Sequence, residues 1–272
     1  MSEADLIART GASPVTGASL AADLRRLGVT PGGVLVVHAS LSRLGWVAGG
    51  APAVVHALLE VLGESGTLMV PAHTNHLSDP AGWSNPPVPE SWWPDVRASM
   101  PAYRPDETPA PWMGEIAGTV LRRRDAVRSS HPHYSMAALG PLAQELCGTH
   151  DLDWSIGPDS PLGRVADHGG QVLLLGVGHG SNTSLHVAEV GGAWGSRNVV
   201  EGTAPAIVAG NREWITWRDV AYDEADFEAI GAAFAAETGL ERVGVVGRGE
   251  ARLMPQRELV AFARRWIGAH RP

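Results

Sequence analysis

Apolar positions along the chain fall into short unbroken runs separated by helical stripes. Val172 to Val177 is an unbroken run bounded by glycines, which predicts a strand buried on both faces. Val34 to His38 and Thr67 to Pro71 predict two more, and a helical stripe over Ala51 to Leu62 lies between them. Strand, helix and strand in that order make a βαβ unit, with a loop at the carboxyl end of its first strand. Helical spacing recurs over Ala18 to Leu27, Gly114 to Arg123, Pro141 to Cys147, Ala225 to Ala236 and Gln256 to Ile267. A loop at Pro132 leads into an expected strand around Tyr134 to Leu139. Beyond Glu201 the pattern changes: Ala206 to Val208 and Glu213 to Trp217 flank Gly210 and Asn211 as an antiparallel hairpin, and Arg242 to Val246 and Ala251 to Met254 are short strands. The expected layout is one domain, with an α/β core over 1–200 and a smaller β-rich annex with the closing helix over 201–272.

Composition narrows the chemistry. The chain has 272 residues, and all 21 of its basic residues are arginine, which excludes a Walker-type phosphate lysine and a pyridoxal Schiff base. A single cysteine, Cys147, permits neither an internal disulfide nor a multi-cysteine zinc site. The net charge of −8 disfavours nucleic acid and suits a cationic partner, although solubility alone would account for it. No apolar run approaches a membrane span and MSEADLIART lacks a signal core, so a cytoplasmic protein with no membrane partner is expected.

The richest stretch is Gln171 to Glu189, QVLLLGVGHGSNTSLHVAE. Glycines 176, 178 and 180 allow a tight reversal after the strand, and Ser181, Asn182 and Thr183 offer helix caps. His186 and Glu189, three apart, then share one helical face. A carboxylate beside an imidazole fixes its tautomer and stabilises its protonated form, as proton transfer at neutral pH requires. The competing reading is a solvated face, and the location favours chemistry, because ligands bind at the open ends of buried α/β strands. At the end of the first strand, Ser40 and Ser42 could hold a pyrophosphate or simply cap a turn. Arg128, Ser129 and Ser135 could bind phosphate or a carbonyl. His73, His76 and Asp79 have a spacing that could serve a metal, but Pro71 and Pro80 oppose the regular helix that would gather them, so no metal is expected and Asp79 is read as a contact for a cationic substrate. From Pro80 to Met113 come nine prolines and four tryptophans, Trp93 among them. So long an irregular segment that is rich in tryptophan is expected to be ordered, as a lid over the site spanning 76–113 or as a packed excursion.

Taken together these pieces are recognisable. The segments LGVTPGGVLVVHASLSRLGW, GTLMVPAHTNHLSDP, PPVPESWWPDVRASMPAYRP, MGEIAGTVLRR, VRSSHPHYSMAALGP, SPLGRV and VLLLGVGHGSNTSLHVAE occur in the order found in the aminoglycoside 3-N-acetyltransferases, also called antibiotic N-acetyltransferases, which the chain resembles over about Leu27 to Glu189. The resemblance implies a three-layer α/β/α fold with a central, largely parallel or mixed sheet. It also implies acetyl-coenzyme A as donor and an aminoglycoside amine as acceptor. It assigns coenzyme A contacts to His38, Ser40, Leu41, Ser42, Arg128, Ser129 and Ser135. It places the reacting amine near His186, Glu189 and Thr183. His73 and Asn75 stand where many members carry a threonine and an aromatic residue; with Asp79, Trp93 and Glu189 they complete the expected acceptor contacts. Direct attack of the amine on the thioester is expected, with His186 as general base supported by Glu189 and Thr183 stabilising the oxyanion. A homodimer, a coenzyme A binder without antibiotic activity, acetylation of another amine and a metal-dependent hydrolase are the open alternatives.

Overall fold

A computed structural model describes residues 2–192, 194 and 198–271. Its strands are β1 (Val34–Ala39), β2 (Thr67–Pro71), β3 (Val127–Arg128), β4 (Met136–Leu139), β5 (Gln171–Leu175), β6 (Val199–Val208), β7 (Asn211–Val220), β8 (Arg242–Val246) and β9 (Gly249–Pro255). Its helices are α1 (Glu3–Thr10), α2 (Gly17–Leu27), α3 (Gly50–Leu62), α4 (Trp93–Ser99), α5 (Gly114–Leu121), α6 (Ala143–Cys147), α7 (Pro161–Arg164), α8 (His186–Val190), α9 (Phe227–Thr238) and α10 (Gln256–His270). The apolar runs therefore fold where the pattern puts them.

The main sheet has seven strands in the order β3-β4-β2-β1-β5-β9-β8. β2, β1 and β5 are parallel to their neighbours in that central trio, and the flanking pairs are antiparallel, so the sheet is mixed. Alternation along the central strands divides two cores. Leu35, Val37, Leu68, Val70, Leu173 and Leu175 pack with α2, α3 and α5, whereas Val34, Val36, Met69, Val172 and Leu174 pack with α6, α8, α9 and α10. Each such side chain, fully buried, contributes roughly 1.5–3 kcal/mol. A strand covered on both faces needs apolar residues at odd and even positions alike, which is why β1, β2 and β5 are unbroken runs.

The residues after Glu201 divide. β6 and β7 pair antiparallel over ten residues each as a separate two-stranded sheet, turning at Ala209 and Gly210, both with positive φ. This hairpin is the smaller β-rich part. β8 and β9, expected in the same annex, instead join the main sheet: β9 runs antiparallel to β5, from Gln171 opposite Pro255 to Leu175 opposite Ala251. The physical reason is two-sided burial, since Leu253 faces one core and Met254 the other, and β5 would otherwise end the sheet as an open apolar edge. α9 and α10 likewise supply Phe227, Ile230, Phe234, Leu259 and Ala263 to the second core.

The proline-rich segment is ordered and holds the short helix α4. Leu77, Met100 and Tyr103 form a small core of their own with Trp83, Val96 and Trp214. The segment docks on the hairpin: Trp214 Nε1 donates to the Arg97 carbonyl at 3.0 Å, Arg212 Nε to the Met100 carbonyl at 2.7 Å, and Tyr103 N to the Pro205 carbonyl at 2.8 Å.

Candidate functional site

The register of the three parallel strands brings their carboxyl ends to one edge. His38 lies opposite Leu174 and Ala39 opposite Leu175, while Val36 lies opposite Met69. His38 closes β1, His73 follows β2 by two residues, and the loop carrying His186 follows β5. Since Val36 faces the second core, the two-residue period turns His38 toward the same side, where α8 packs. β1 leads through α3 to β2 on one side and has β5 on the other, so the edge between β1 and β5 is a topological switch point, the usual crevice for ligands.

At the end of β5 the chain turns through Gly176, whose φ of 74° suits glycine, and continues in short turns to α8. Asn182 accepts from Ser184 N at 3.2 Å, and Thr183 is buried in the turn just before His186. His186 Nδ1 and Glu189 Oε2 are 2.5 Å apart. A carboxylate only accepts, so Nδ1 carries the proton and Nε2 presents its lone pair. The His186 side chain is 15% exposed and that of Glu189 is fully buried. The imidazole sits against the rings of Tyr222 and Phe227, each with centroids 4.7 Å away. Glu189 Oε1 accepts from Arg271 Nη1 and from Asp223 N.

His38 and His73 complete the surroundings of His186. Burial pushes the pKa of His38 down to about 4 and that of His73 to about 3, and the charge of a protonated His186 opposes protonation of both. Each therefore stays neutral near pH 7, and each has a buried Nε2 without a hydrogen-bond partner. A buried nitrogen without a partner calls for an explanation, and a bound ligand would supply one.

The remaining candidates fall into two groups. Ser40 and Ser42 stay at the crevice, their hydroxyls 3.4 Å apart, and Leu41 begins the turn between them while packing on the first core. Arg128, Ser129 and Ser135 turn their polar atoms into the protein instead. Arg128 donates to the Ala72 and Thr108 carbonyls and to Ser135 Oγ, Ser135 Oγ donates to the Ala72 carbonyl, and Ser129 Oγ lies 2.9 Å from His150 Nδ1. These three pin the proline-rich segment to β4 and its neighbours. Asp79 binds Arg97 through both oxygens at 2.8 Å, Trp93 lies under the same guanidinium at 5.6 Å, and Asn75 is exposed. Among the described residues no group of three or more His, Cys, Asp or Glu is placed to hold a metal ion.

A cleft between the proline-rich segment and the hairpin is lined by Asp79, Glu201 and Asp219 with His133, Tyr134 and Trp217. Tyr134 meets Tyr222 at 5.3 Å, and Tyr222 meets His186, so two rings connect this cleft to the imidazole. Sequence reasoning missed Tyr222, Asp223, Asp226 and Arg271. They lie 34 to 82 residues from Glu189 or its partners, with no local spacing to mark them.

Comparison with known proteins gives the family. Residues 36–268 match the family model for aminoglycoside 3-N-acetyltransferase. The SPbeta prophage-derived aminoglycoside N(3')-acetyltransferase-like protein YokD of Bacillus subtilis is 40% identical, with 93% of each chain covered, and its crystal structure superposes with a TM-score of 0.91 over 94% of each chain. Aminoglycoside N(3)-acetyltransferase IX of Micromonospora chalcea is 37% identical over 99% of each chain. Solved structures with ligands are also similar, among them AAC-IIIb with CoASH, 28% identical with TM-score 0.83 over 94% of this chain and 97% of that one, and AAC-VIa with sisomicin, 29% identical with TM-score 0.84 over 94% and 98%. On the family match over residues 36–268 and these identities, the chain belongs to the aminoglycoside 3-N-acetyltransferase family.

Proposed function

We propose that the protein transfers the acetyl group of acetyl-coenzyme A to the 3-amino group of an aminoglycoside by direct attack of the amine on the thioester. The observation that carries this reading is the His186–Glu189 pair, its Nδ1 edge held by a buried carboxylate and its Nε2 edge at the open end of β5. An alkyl ammonium, with a pKa near that of lysine at about 10.4, cannot attack until it loses a proton. Once the free amine adds to the carbonyl carbon, His186 Nε2 takes a second proton from the nitrogen. The C–S bond then breaks, and the departing thiolate takes that proton from the imidazolium. A positioned base of this kind is worth about 10²–10⁴-fold. Thr183, in the turn that leads into α8 and three residues before His186, supplies its hydroxyl or N–H to the oxyanion.

The donor enters at the switch point, with Ser40, Leu41 and Ser42 along the pantetheine and His38 beside the thioester; the CoASH complex of AAC-IIIb supports the donor class. The acceptor occupies the cleft between the proline-rich segment and the hairpin, on the side of His73, Asn75, Asp79 and Trp93, where Glu201 adds an exposed carboxylate; the sisomicin complex of AAC-VIa supports the acceptor class. Cys147 is no candidate for a covalent intermediate, because burial pushes its thiol up to about 12.

Release of free thiol from acetyl-coenzyme A, followed with and without gentamicin, kanamycin, neomycin and apramycin, tests the reading. Amine-dependent release with acetylation at the 3-amino position, located by NMR of the product, is expected. Donor binding with no release for any of the four would move the natural acceptor outside the aminoglycosides.

A further inference from the structure

Arg271 sits at the end of α10, and its guanidinium reaches the buried carboxylate on the oxygen away from His186, beside the Asp223 N–H. Nη1 donates to Glu189 Oε1, Nε donates to Asp226 Oδ2 at 2.8 Å, and Nη2 donates to Asp226 Oδ1 and to the Asp223 carbonyl at 2.5 and 2.7 Å. Trp194 lies under the guanidinium at 4.6 Å, and the Arg271 side chain is only 7% exposed. Burial works against the cation, but the hydrogen bonds to Asp226 and Glu189 outweigh it and hold Arg271 above its ordinary pKa. These four side-chain contacts come in addition to the helix-end bond that the Arg271 backbone donates to the Ile267 carbonyl at 2.9 Å.

We propose that Arg271 is a positioning residue for the reaction: it clamps Glu189 against His186 and sets the proton affinity of that pair. The inference rests on the reading of His186 as the base. A fork-shaped guanidinium can hold Asp226 with one edge and Glu189 with the other, so Glu189 Oε2 is left aimed at the imidazole. The row His186, Glu189, Arg271, Asp226 carries one net negative charge while His186 is neutral and none once it takes a proton, so uptake of the proton neutralises the row. Without Arg271 the row would hold two negative charges, Glu189 fully buried and Asp226 partly so, and the pair would take up its proton too readily, whichever member carried it. Such a base would already be protonated at a pH where the amine needs it free. The other groups facing His186 are His38 and His73, both neutral, and the rings of Tyr222 and Phe227, so none of them replaces the missing cation.

The test compares Arg271→Gln, which removes the charge, with Arg271→Lys, which keeps the charge and loses the fork. The imidazole of His186 is followed by NMR, its signal assigned by loss in His186→Ala, alongside pH profiles of kcat/KM for thiol release. Proton uptake at the pair should rise by about half a pH unit or more in Arg271→Gln and by less in Arg271→Lys. The acidic limb of kcat/KM should move up with it, and kcat should fall about tenfold while KM for acetyl-coenzyme A stays within about twofold. Unchanged titration in folded Arg271→Gln overturns the proposal, as does a fall in kcat matched by an equal loss of folded protein in a thermal melt. Should Arg271→Gln fail to fold, Arg271→Lys is read by the same criteria, and Asp226→Asn, which removes a negative charge from the row, should move proton uptake at the pair the opposite way; an unchanged titration there also overturns the proposal. Wild-type turnover in His186→Ala, with the titration shifted in Arg271→Gln, would remove His186 from the chemistry and leave the clamp standing.

Discussion

The loop after β5 carries two histidines seven residues apart, each held by a glutamate that is in turn held by an arginine. His186 pairs with Glu189 and Arg271, and His179 pairs with Glu241 at 2.7 Å and, through it, with Arg252 at 2.9 Å. The chemistry of the two rows is the same and their surroundings are not. The His186 side chain is 15% exposed, whereas those of His179 and Glu241 are both 2% exposed. The second nitrogen of His179 lies 3.4 Å from Asn182 Nδ2, and its ring packs directly on Gly231 of α9. One row therefore has an edge turned to the crevice and can exchange a proton with a substrate. The other is closed at both ends and ties the β5 loop to α9 and β8. A His–Glu pair is a base only where its distal nitrogen meets a ligand; elsewhere it is a rivet.

The largest effect separating histidines held by carboxylates from the rest should appear in acid. His38, His73, His131, His133 and His150 are buried without a carboxylate partner, and burial lowers all their pKa values, to about 4, about 3, well below the ordinary range, about 4 and about 4 in turn. Their unfolded value is about 6.5, so the unfolded chain binds more protons below that pH, and stability rises with pH. The contribution is fully present above about pH 6.5 and is withdrawn as pH falls toward 4. A pKa displaced by one is worth about 1.4 kcal/mol, so several such groups together reach the scale of a whole domain's stability of about 5–15 kcal/mol. Urea midpoints between pH 7 and 4.5 should drop steeply, and His133→Asn should flatten the slope. A flat profile would show that these imidazoles are already protonated in the folded protein.

Next in size is the exchange between the two rows. His186→Ala should lower turnover at least about a hundredfold with coenzyme A binding kept. His179→Ala should leave kcat per folded molecule within about threefold and lower the melting temperature, by leaving Glu241 buried beside Arg252 alone. Thiol release normalised to active protein, measured with calorimetric melts, distinguishes them; equal losses of turnover would erase the division between base and rivet.

The smallest effect expected is at the contact that closes the second row. A Cβ added at Gly231 would meet the His179 ring at 2.2 Å, so Gly231→Ala must displace the ring or α9. Overpacking of this kind costs about 1–3 kcal/mol, and the acetyl-coenzyme A KM should not change. A chemical-denaturation midpoint equal to that of the wild type would mean that the ring has room to move.

The sequence by itself determined the elements that depend on local pattern. β2 falls on Thr67–Pro71 as its apolar run predicts and β8 on Arg242–Val246 as its β-branched valines predict, and α3 extends the predicted stripe by one residue, because strand propensity, two-sided burial of β2 and helical spacing are written in consecutive positions. It missed α1, whose signal is mainly its Ser2 and Asp5 capping box, and the short helices α4 and α7, which carry a proline in their first turn. It placed His186 beside Glu189, since three residues on a helix are neighbours in any fold. Only the tertiary structure decided which strands share a sheet: β8 and β9 fit a detached annex equally well by pattern, and it is the exposed edge of β5 that claims them. Only it decided that Arg128, Ser129 and Ser135 turn inward, because the direction of a loop side chain depends on what packs around it. And only it joined Arg271 to Glu189 across 82 residues, since a charge finds a distant partner through the packing of α10 on the sheet and not through any spacing in the chain.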